Sequence, residues 1–423
     1  MTAPARPTAT VTGLGLVTPL GCEIDGFFEA LCEARSGLVR PPEDHPVAGI
    51  LEVAGMAPTI DPKTVLPPPD TRCLDPFITM GVAAADAALA DAGIEVGRDV
   101  DPLRTAVVVA NSTGGMLTFE AQVLARAERG RTAVSPSLLP AMLPNMAGAR
   151  IAIKHGIRGF SSTIATACAS SAYAVAEALR LIREGVADVV VCGGADAPLL
   201  PTTATAFLNA RALAYGWDDP TEASRPFDRR RNGFVLSEGA GVMVVERTEH
   251  ADARNAAGYA DLLGWGVSTD AFHATMPRTD GEGAADAMRL ALADARLAPG
   301  DVGYVNAHGT STKRGDAAEA QAIRTVFGED GPAVSSTKGV TGHLLASIGV
   351  VEAAATALSL SRGLLPPTHN LVDPDCELDH IAKAPREETV DAAVSNSFAF
   401  GGHNVSLVLG RPGTRAVRAG SSR

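Results

Sequence analysis

Hydrophobic and polar positions alternate with two periods along this chain. Short runs at Thr10–Leu16, Thr105–Ala110, Val186–Cys192, Gly241–Glu246, Val302–Asn306 and Val405–Leu409 read as strands. Between them Phe77–Ala92, Ala169–Glu184, Gly283–Ala295 and Leu344–Arg362 carry helix-like segments. Strand and helix signals that alternate in this way predict an α/β fold. Residues 1–9 read as a frayed start and residues 412–423 as a disordered tail.

The pattern repeats. Ala88-Leu89-Ala90-Asp91-Ala92 recurs as Ala291-Leu292-Ala293-Asp294-Ala295, and each is followed by a loop, a Val-containing strand and a small-residue turn. A second echo pairs Leu181-Ile182-Arg183-Glu184-Gly185 with Leu360-Ser361-Arg362-Gly363. Two echoes in one order point to an ancient duplication. The 423 residues also exceed the roughly 250–300 at which a single core stops growing. The expected division is an N-terminal half, 10–255, and a C-terminal half, 256–411, with the tail beyond.

Composition narrows the function classes. A net charge of −12 leaves no basic excess to neutralise phosphates and argues against nucleic-acid binding. The local run Arg225-Pro226-Phe227-Asp228-Arg229-Arg230-Arg231 could receive an acidic partner or pair its charges internally. Scarce aromatics and abundant Ala and Gly predict tightly packed helices and close backbone approaches. The six cysteines have no CxxC spacing, so neither a zinc site nor a disulfide framework is indicated. The uncharged stretches 132–149 and 159–176 are broken by Pro or rich in small polar residues, so no membrane span is expected. Without a secretion signal, the expected location is the cytoplasm.

Three strand-to-helix turns carry the candidate chemistry. Cys168 lies in Thr166-Ala167-Cys168-Ala169-Ser170-Ser171, where a helix is expected to begin. Backbone N–H groups and the helix dipole there should lower its pKa from about 8.5. His308 lies in Asn306-Ala307-His308-Gly309-Thr310 and His343 in Lys338-Gly339-Val340-Thr341-Gly342-His343. A thiolate can hold an acyl group as a thioester and split a transfer into two steps. Two neutral histidines donating to one carbonyl could stabilise an enolate, as decarboxylation of a malonyl thioester requires, with Lys338 adding positive charge nearby. Gly-rich Asn396–Asn404 reads as a turn whose N–H groups could hold an oxyanion. Cys192 reads as a packed strand thiol. His45, His155, His250, His369 and His380 read as surface or structural, with His273 and His403 intermediate.

Five motifs, TACAS, SRPFD…GFVLSEGAG (224–241), NAHGTST, STKGVTGH and NSFAFGGHN, resemble those of the β-ketoacyl-ACP synthase family. The resemblance spans nearly the whole chain. It is strongest to β-ketoacyl-ACP synthase II and to the catalytic ketosynthases of type II polyketide systems. It implies a thiolase-like layered α/β/α/β/α architecture built from two duplicated halves. It also implies decarboxylative condensation of acyl-ACP with malonyl-ACP, with the substrates carried on 4'-phosphopantetheine and no intrinsic cofactor or metal. By resemblance Cys168 is the nucleophile, His308 and His343 the decarboxylation pair, Lys338 the conserved lysine and Glu352 its carboxylate partner. Phe400 is the gate, and its N–H forms the oxyanion hole with that of Cys168. Thr310 and Thr312 hold the phosphopantetheine arm, Thr275 joins the substrate-binding set, and Thr113 and Phe207 line the acyl pocket. Thr132-Ala133 replaces a basic pair used for carrier docking, which leaves Arg72, Arg131 and Arg211 as docking candidates. Ala399 replaces a Gly and would stiffen the gating loop; Thr113 replaces a bulkier aliphatic residue.

The family's partners are an acyl carrier protein and a second subunit, giving a homodimer or a heterodimer with a chain-length factor. Two other readings compete. A thiolase acting on CoA esters needs a second cysteine in a Gly-rich turn, and Cys376 lies outside one. A non-catalytic chain-length factor lacks the nucleophile that this chain has.

Overall fold

The computed structural model describes residues 8–67 and 74–413. Most of the expected tail, and Arg72 with it, lies outside the described residues. The fold is organised around one eleven-stranded mixed sheet. From one edge its strands are Asp379–His380, Ala333–Ser335, Tyr304–Asn306, Ala392–Ala399, His403–Gly410, Ala260–Thr269, Ala9–Val17, Gly239–Arg247, Val189–Asp196, Thr105–Ala110 and Ser161–Ser162.

The duplication is visible in this order. The two halves meet where Ala9–Val11 pairs antiparallel with Ala260–Leu262. Moving outward, each half adds two antiparallel neighbours and then parallel ones, two in the first half and three in the second. The echoed helices fall in matching places. Pro76–Ala92 packs on Ala9–Val17, and Glu282–Ala295 packs on Ala260–Thr269. Glycine allows both contacts: a Cβ on Gly13 or Gly15 would lie 2.2 or 1.9 Å from Ala88 O or Ala84 O. In the second half a Cβ on Gly266 would lie 2.1 Å from Ala287 O. The Ala- and Gly-rich composition therefore serves backbone-close packing of helix on strand.

Between the two halves of the sheet lie the helices Ser170–Arg183 and Ile348–Arg362, which touch each other and strands from both repeats. Their apolar side chains form the central core cluster, and the outer helices cover two further clusters. The result is five layers, helix–sheet–helix–sheet–helix, the thiolase-like α/β architecture expected. The segment Leu345–Arg362 is apolar enough to cross a membrane by composition, but 89% of it is buried inside the protein, which makes it the innermost core helix.

Several expectations shift. The strand expected at Val186–Cys192 runs Val189–Asp196, so its C-terminal end carries the small residues Gly193–Ala195 and a buried carboxylate. The helix expected from Leu344 starts at Ile348, after a turn in which Leu345 has φ of 49°. Asn396–Ala399, read as part of a turn, completes the strand Ala392–Ala399; only Phe400–Gly402 forms the turn. The strand Ala260–Thr269 and the helix Lys313–Phe327 were not expected. In the basic run 225–231 the two buried members are internally paired, while Arg229 and Arg230 are exposed. Arg225 pairs with Asp228 at 3.0 Å, and Arg231 with Asp375 at 2.6 Å and Asp316 at 3.3 Å.

Candidate active site

The two repeats place their equivalent turns face to face. Cys168 precedes the central helix Ser170–Arg183, with Ala167 before it at φ 49°, in the left-handed region. The Ser170 hydroxyl fixes this bend by donating to Ala167 O at 2.6 Å and accepting from Thr166 N–H at 2.8 Å. The bend turns the sulphur toward the second repeat, where His343 Nε2 lies 3.0 Å from Cys168 Sγ. The His343 backbone is locked from both sides: its N–H donates to Val235 O at 2.8 Å and its carbonyl accepts from Ser237 N–H at 3.0 Å.

His308 stands beside this pair. The two imidazole rings are 5.4 Å apart by centroid and nearly perpendicular at 84°. Lys338 lies buried behind His308, with Nζ 2.5 Å from His308 O, 3.3 Å from His308 Nδ1 and 2.5 Å from Glu352 Oε1. An ammonium only donates, so Nδ1 of His308 accepts and its proton sits on Nε2. Glu319 clamps the same turn by accepting from His308 N–H at 2.8 Å and Gly309 N–H at 2.7 Å. Asn396 donates to Glu319 at 3.3 Å.

Electrostatics set the resting protonation. Burial, reinforced by Lys338, holds both histidines well below their ordinary pKa, so both are neutral at pH 7. Burial pushes Glu352 and Glu319 up to about 7, against the pull of Lys338 on each and of the two backbone N–H groups on Glu319. For Cys168 the expectation of a lowered pKa is corrected. Burial pushes the thiol up to about 12, and the pull of Lys338 is opposed by Asp196 and Glu352. Although the sulphur keeps some exposure to the cavity, its surroundings are mostly protein. The resting species is the thiol, with His343 Nε2 placed to accept its proton.

A cavity of about 900 Å³ opens onto these atoms. Cys168, His308, His343, Phe400, Thr113, Phe207, Thr275, Thr310, Thr312 and Arg211 all line it, so the structure brings these sequence candidates together. Lys338 and Glu352 lie behind the lining. Thr310 and Thr312 hydroxyls are 3.0 Å apart, and Thr312 also caps the helix Lys313–Phe327. Exposed Arg131, in the single turn Arg131–Ala133, does not line the cavity. Phe207, Phe234 and Phe400 form an aromatic wall, with Phe234 edge-on to His343 at 5.4 Å. Ala399 has extended backbone (φ −136°), which strains no residue; the turn is made by Gly401 and Gly402 at φ 85° and 74°.

Sequence reasoning missed Glu319, Asp196, Asn396 and Phe234, and also Phe398, whose ring lies 5.9 Å from that of His308. Glu319 had a signal. On Lys313–Phe327, positions 316, 319, 320 and 323 form one buried stripe, and two of the four are carboxylates. An acid on the apolar face of a helix implies a partner.

Comparison with known proteins gives the class. Residues 8–251 match the model for "Beta-ketoacyl synthase, N-terminal domain" and residues 259–372 that for "Beta-ketoacyl synthase, C-terminal domain". The chain belongs to the β-ketoacyl synthase family. It is 41% identical over 410 residues to the 3-oxoacyl-[acyl-carrier-protein] synthase 2 of Vibrio harveyi, covering 96% of this chain and 99% of that one. It is 38% identical to the chloroplastic 3-oxoacyl-[acyl-carrier-protein] synthase I of Hordeum vulgare, covering 96% and 89%. A solved type II PKS acyl-carrier protein in complex with its ketosynthase, bound to the hexaketide, matches with TM-score 0.89 at 28% identity, covering 96% and 100%. The ishigamide ketosynthase/chain length factor matches with TM-score 0.88 at 32% identity, covering 97% and 100%.

Proposed function

We propose that this chain is a 3-oxoacyl-[acyl-carrier-protein] synthase in which Cys168 carries the growing acyl chain. The observation that carries the reading is the 3.0 Å approach of His343 Nε2 to Cys168 Sγ, with the Nε2–H tautomer of His308 alongside. In the first step Cys168 sulphur attacks the thioester carbonyl of acyl-ACP. The thiol proton passes by way of His343 to the departing carrier thiolate, leaving acyl-S-Cys168 and HS-ACP.

Malonyl-ACP then enters. Its thioester oxygen accepts from Nε2–H of neutral His308 as the C–C bond to the carboxylate breaks, releasing CO₂ and leaving an enolate. The enolate carbon attacks the acyl carbonyl on Cys168. The tetrahedral oxyanion is held by the Cys168 and Phe400 N–H groups. Collapse gives 3-oxoacyl-ACP and returns the sulphur, which takes up one proton.

Lys338 and Glu352 act through His308 as positioning residues, and Glu319 holds the same turn. Thr310, Thr312 and Thr275 lie along the arm's path, with Phe207 and Thr113 on the acyl side. The half 10–255 supplies Cys168, and the half 256–411 supplies His308, Lys338, His343 and Phe400. The named complexes of structural neighbours support an acyl carrier protein as partner and a dimer with a second copy or a chain-length factor. Arg211 is a docking residue, with Arg72 and Arg131 as further candidates.

Intact-mass spectrometry after incubation with acyl-ACP tests the reading. One acyl mass on the wild type and none on Cys168→Ala is expected. An undiminished adduct on Cys168→Ala overturns it.

A further inference from the structure

Asp196 is a buried charge that the condensation steps leave unused. It ends the strand Val189–Asp196 at 0% exposure, and among the described residues no cation pairs with it. Burial pushes its carboxyl up to about 6, against the hydrogen bonds from Ser112 and Ala346, with Asp75 adding to the rise. A carboxylate this deep and without a counter-ion is held by the donors around it, and here all of them are neutral.

Those donors come from both repeats. From the first, Ser112 Oγ donates at 2.5 Å, Asn111 Nδ2 at 3.1 Å and Ser112 N–H at 3.4 Å. From the second, Ala346 N–H donates at 3.0 Å. The first three bonds fix the turn 111–113, whose Ser112 and Thr113 line the cavity. Asn111 N–H donates in turn to Ile164 O at 3.2 Å, on the segment that leads into Cys168. The fourth bond fixes the bend between His343 and the helix Ile348–Arg362, beside Leu345 at φ 49°. A non-Gly residue in the left-handed region persists only where its surroundings enforce it.

The duplication sharpens the contrast. In the second repeat the turn that matches 111–113 is 308–310, and Glu319 clamps it through His308 N–H and Gly309 N–H. The partners of Glu319 all belong to its own repeat, whereas Asp196 reaches across to the other. Its charge also bears on Cys168, where it opposes the pull of Lys338.

We propose that Asp196 is a positioning residue that aligns Cys168 Sγ with His343 Nε2 by tying the acyl-side turn of one repeat to the His343 bend of the other. This rests on the synthase reading and adds a residue to it. Proton transfer needs the sulphur and the ring nitrogen within hydrogen-bond reach, and a displacement of about 1 Å can cost about a hundredfold in rate. The His308 turn stands outside this tie, because Lys338 and Glu319 hold it. Loss of the tie should therefore slow acylation of Cys168 and spare decarboxylation.

The test is D196N, which keeps the shape of the side chain but replaces one acceptor oxygen with an amide that only donates. With acyl-ACP, the maximal rate of Cys168 acylation should fall by about tenfold or more, while the half-saturating concentration moves by less than about threefold. With malonyl-ACP, CO₂ release should stay within about threefold of the wild type. General damage to the fold would lower both rates, so an equal loss of both overturns the proposal. Acylation by D196N at the wild-type rate overturns it as well. Should D196N not fold, S112A removes one donor and leaves the carboxylate. It should slow acylation by about threefold to tenfold with CO₂ release unaltered, and wild-type acylation in S112A overturns the proposal. If the wild type takes no acyl group from acyl-ACP, the synthase reading itself fails and the role of Asp196 with it.

Discussion

At the scale of single residues, the site works by withholding charge until substrate arrives. Burial keeps Cys168 a thiol and both histidines neutral. Two expectations follow. Alkylation of Cys168 by iodoacetamide should rise about tenfold per pH unit from about pH 7 to 9, because only the thiolate reacts. A plateau below pH 8 would mean a preformed thiolate. The histidine pKa values lie below the ordinary value, so protonation comes only at pH well under 6.5. Long-range ¹H–¹⁵N spectra should therefore show both rings neutral at pH 6, with the His308 proton on Nε2. Imidazolium signals from either ring at that pH would contradict the burial argument. Removing the donor, His308→Ala, should slow CO₂ release from malonyl-ACP by about a hundredfold or more, while Cys168 still acylates. An unchanged rate would remove His308 from the decarboxylation step.

At the scale of elements, the site depends on how closely the two central helices cross. A Cβ on Gly349 would lie 2.8 Å from Ala172 N and 2.9 Å from Ser397 Oγ. Gly349→Val must push the helix Ile348–Arg362 away from the helix that follows Cys168, at a cost of about 1–3 kcal/mol. The urea midpoint should fall and the acylation rate with it; an unchanged midpoint would show that the crossing has slack. The same packing explains what was legible in the sequence. Local signals carried the turns, because a histidine among Gly and Thr has no packing purpose, and they carried the echo, because Ala-Leu-Ala-Asp-Ala repeats at matching places. What escaped was set by pairing partners far away in sequence. Asn396–Ala399 resembles a loop until His403–Ser406 pairs with it in the sheet. Asp196 resembles a strand's polar end until Ser112 and Ala346 N–H close on it. The Cys168 pKa failed for the same reason: the dipole argument is local, and the burial that outweighs it is assembled by both repeats.

At the scale of the whole molecule, an Ala- and Gly-rich core holds protons that the unfolded chain would release at alkaline pH. Burial raises Cys32 to about 11 and Cys168, Cys376 and Tyr259 to about 12, and raises Cys192 and Tyr304 further. In the unfolded chain thiols titrate near 8.5 and tyrosines near 10. Above about pH 9 the native state therefore binds more protons than the unfolded state, and stability must fall as pH rises. The slope is about 1.4 kcal/mol per pH unit for each group fully deprotonated only on unfolding. Cys192 and Tyr304, both at 0% exposure, contribute most surely. Stability measured by urea unfolding should hold near pH 8 and drop steeply between about pH 9 and 11, with the unfolding slope against urea unchanged. Cys192→Ala should flatten the start of that drop by one proton, because it removes the strand thiol without touching the cavity. A curve that stays level to pH 11, or an unaltered onset in Cys192→Ala, would mean that the core opens to hydroxide before it unfolds.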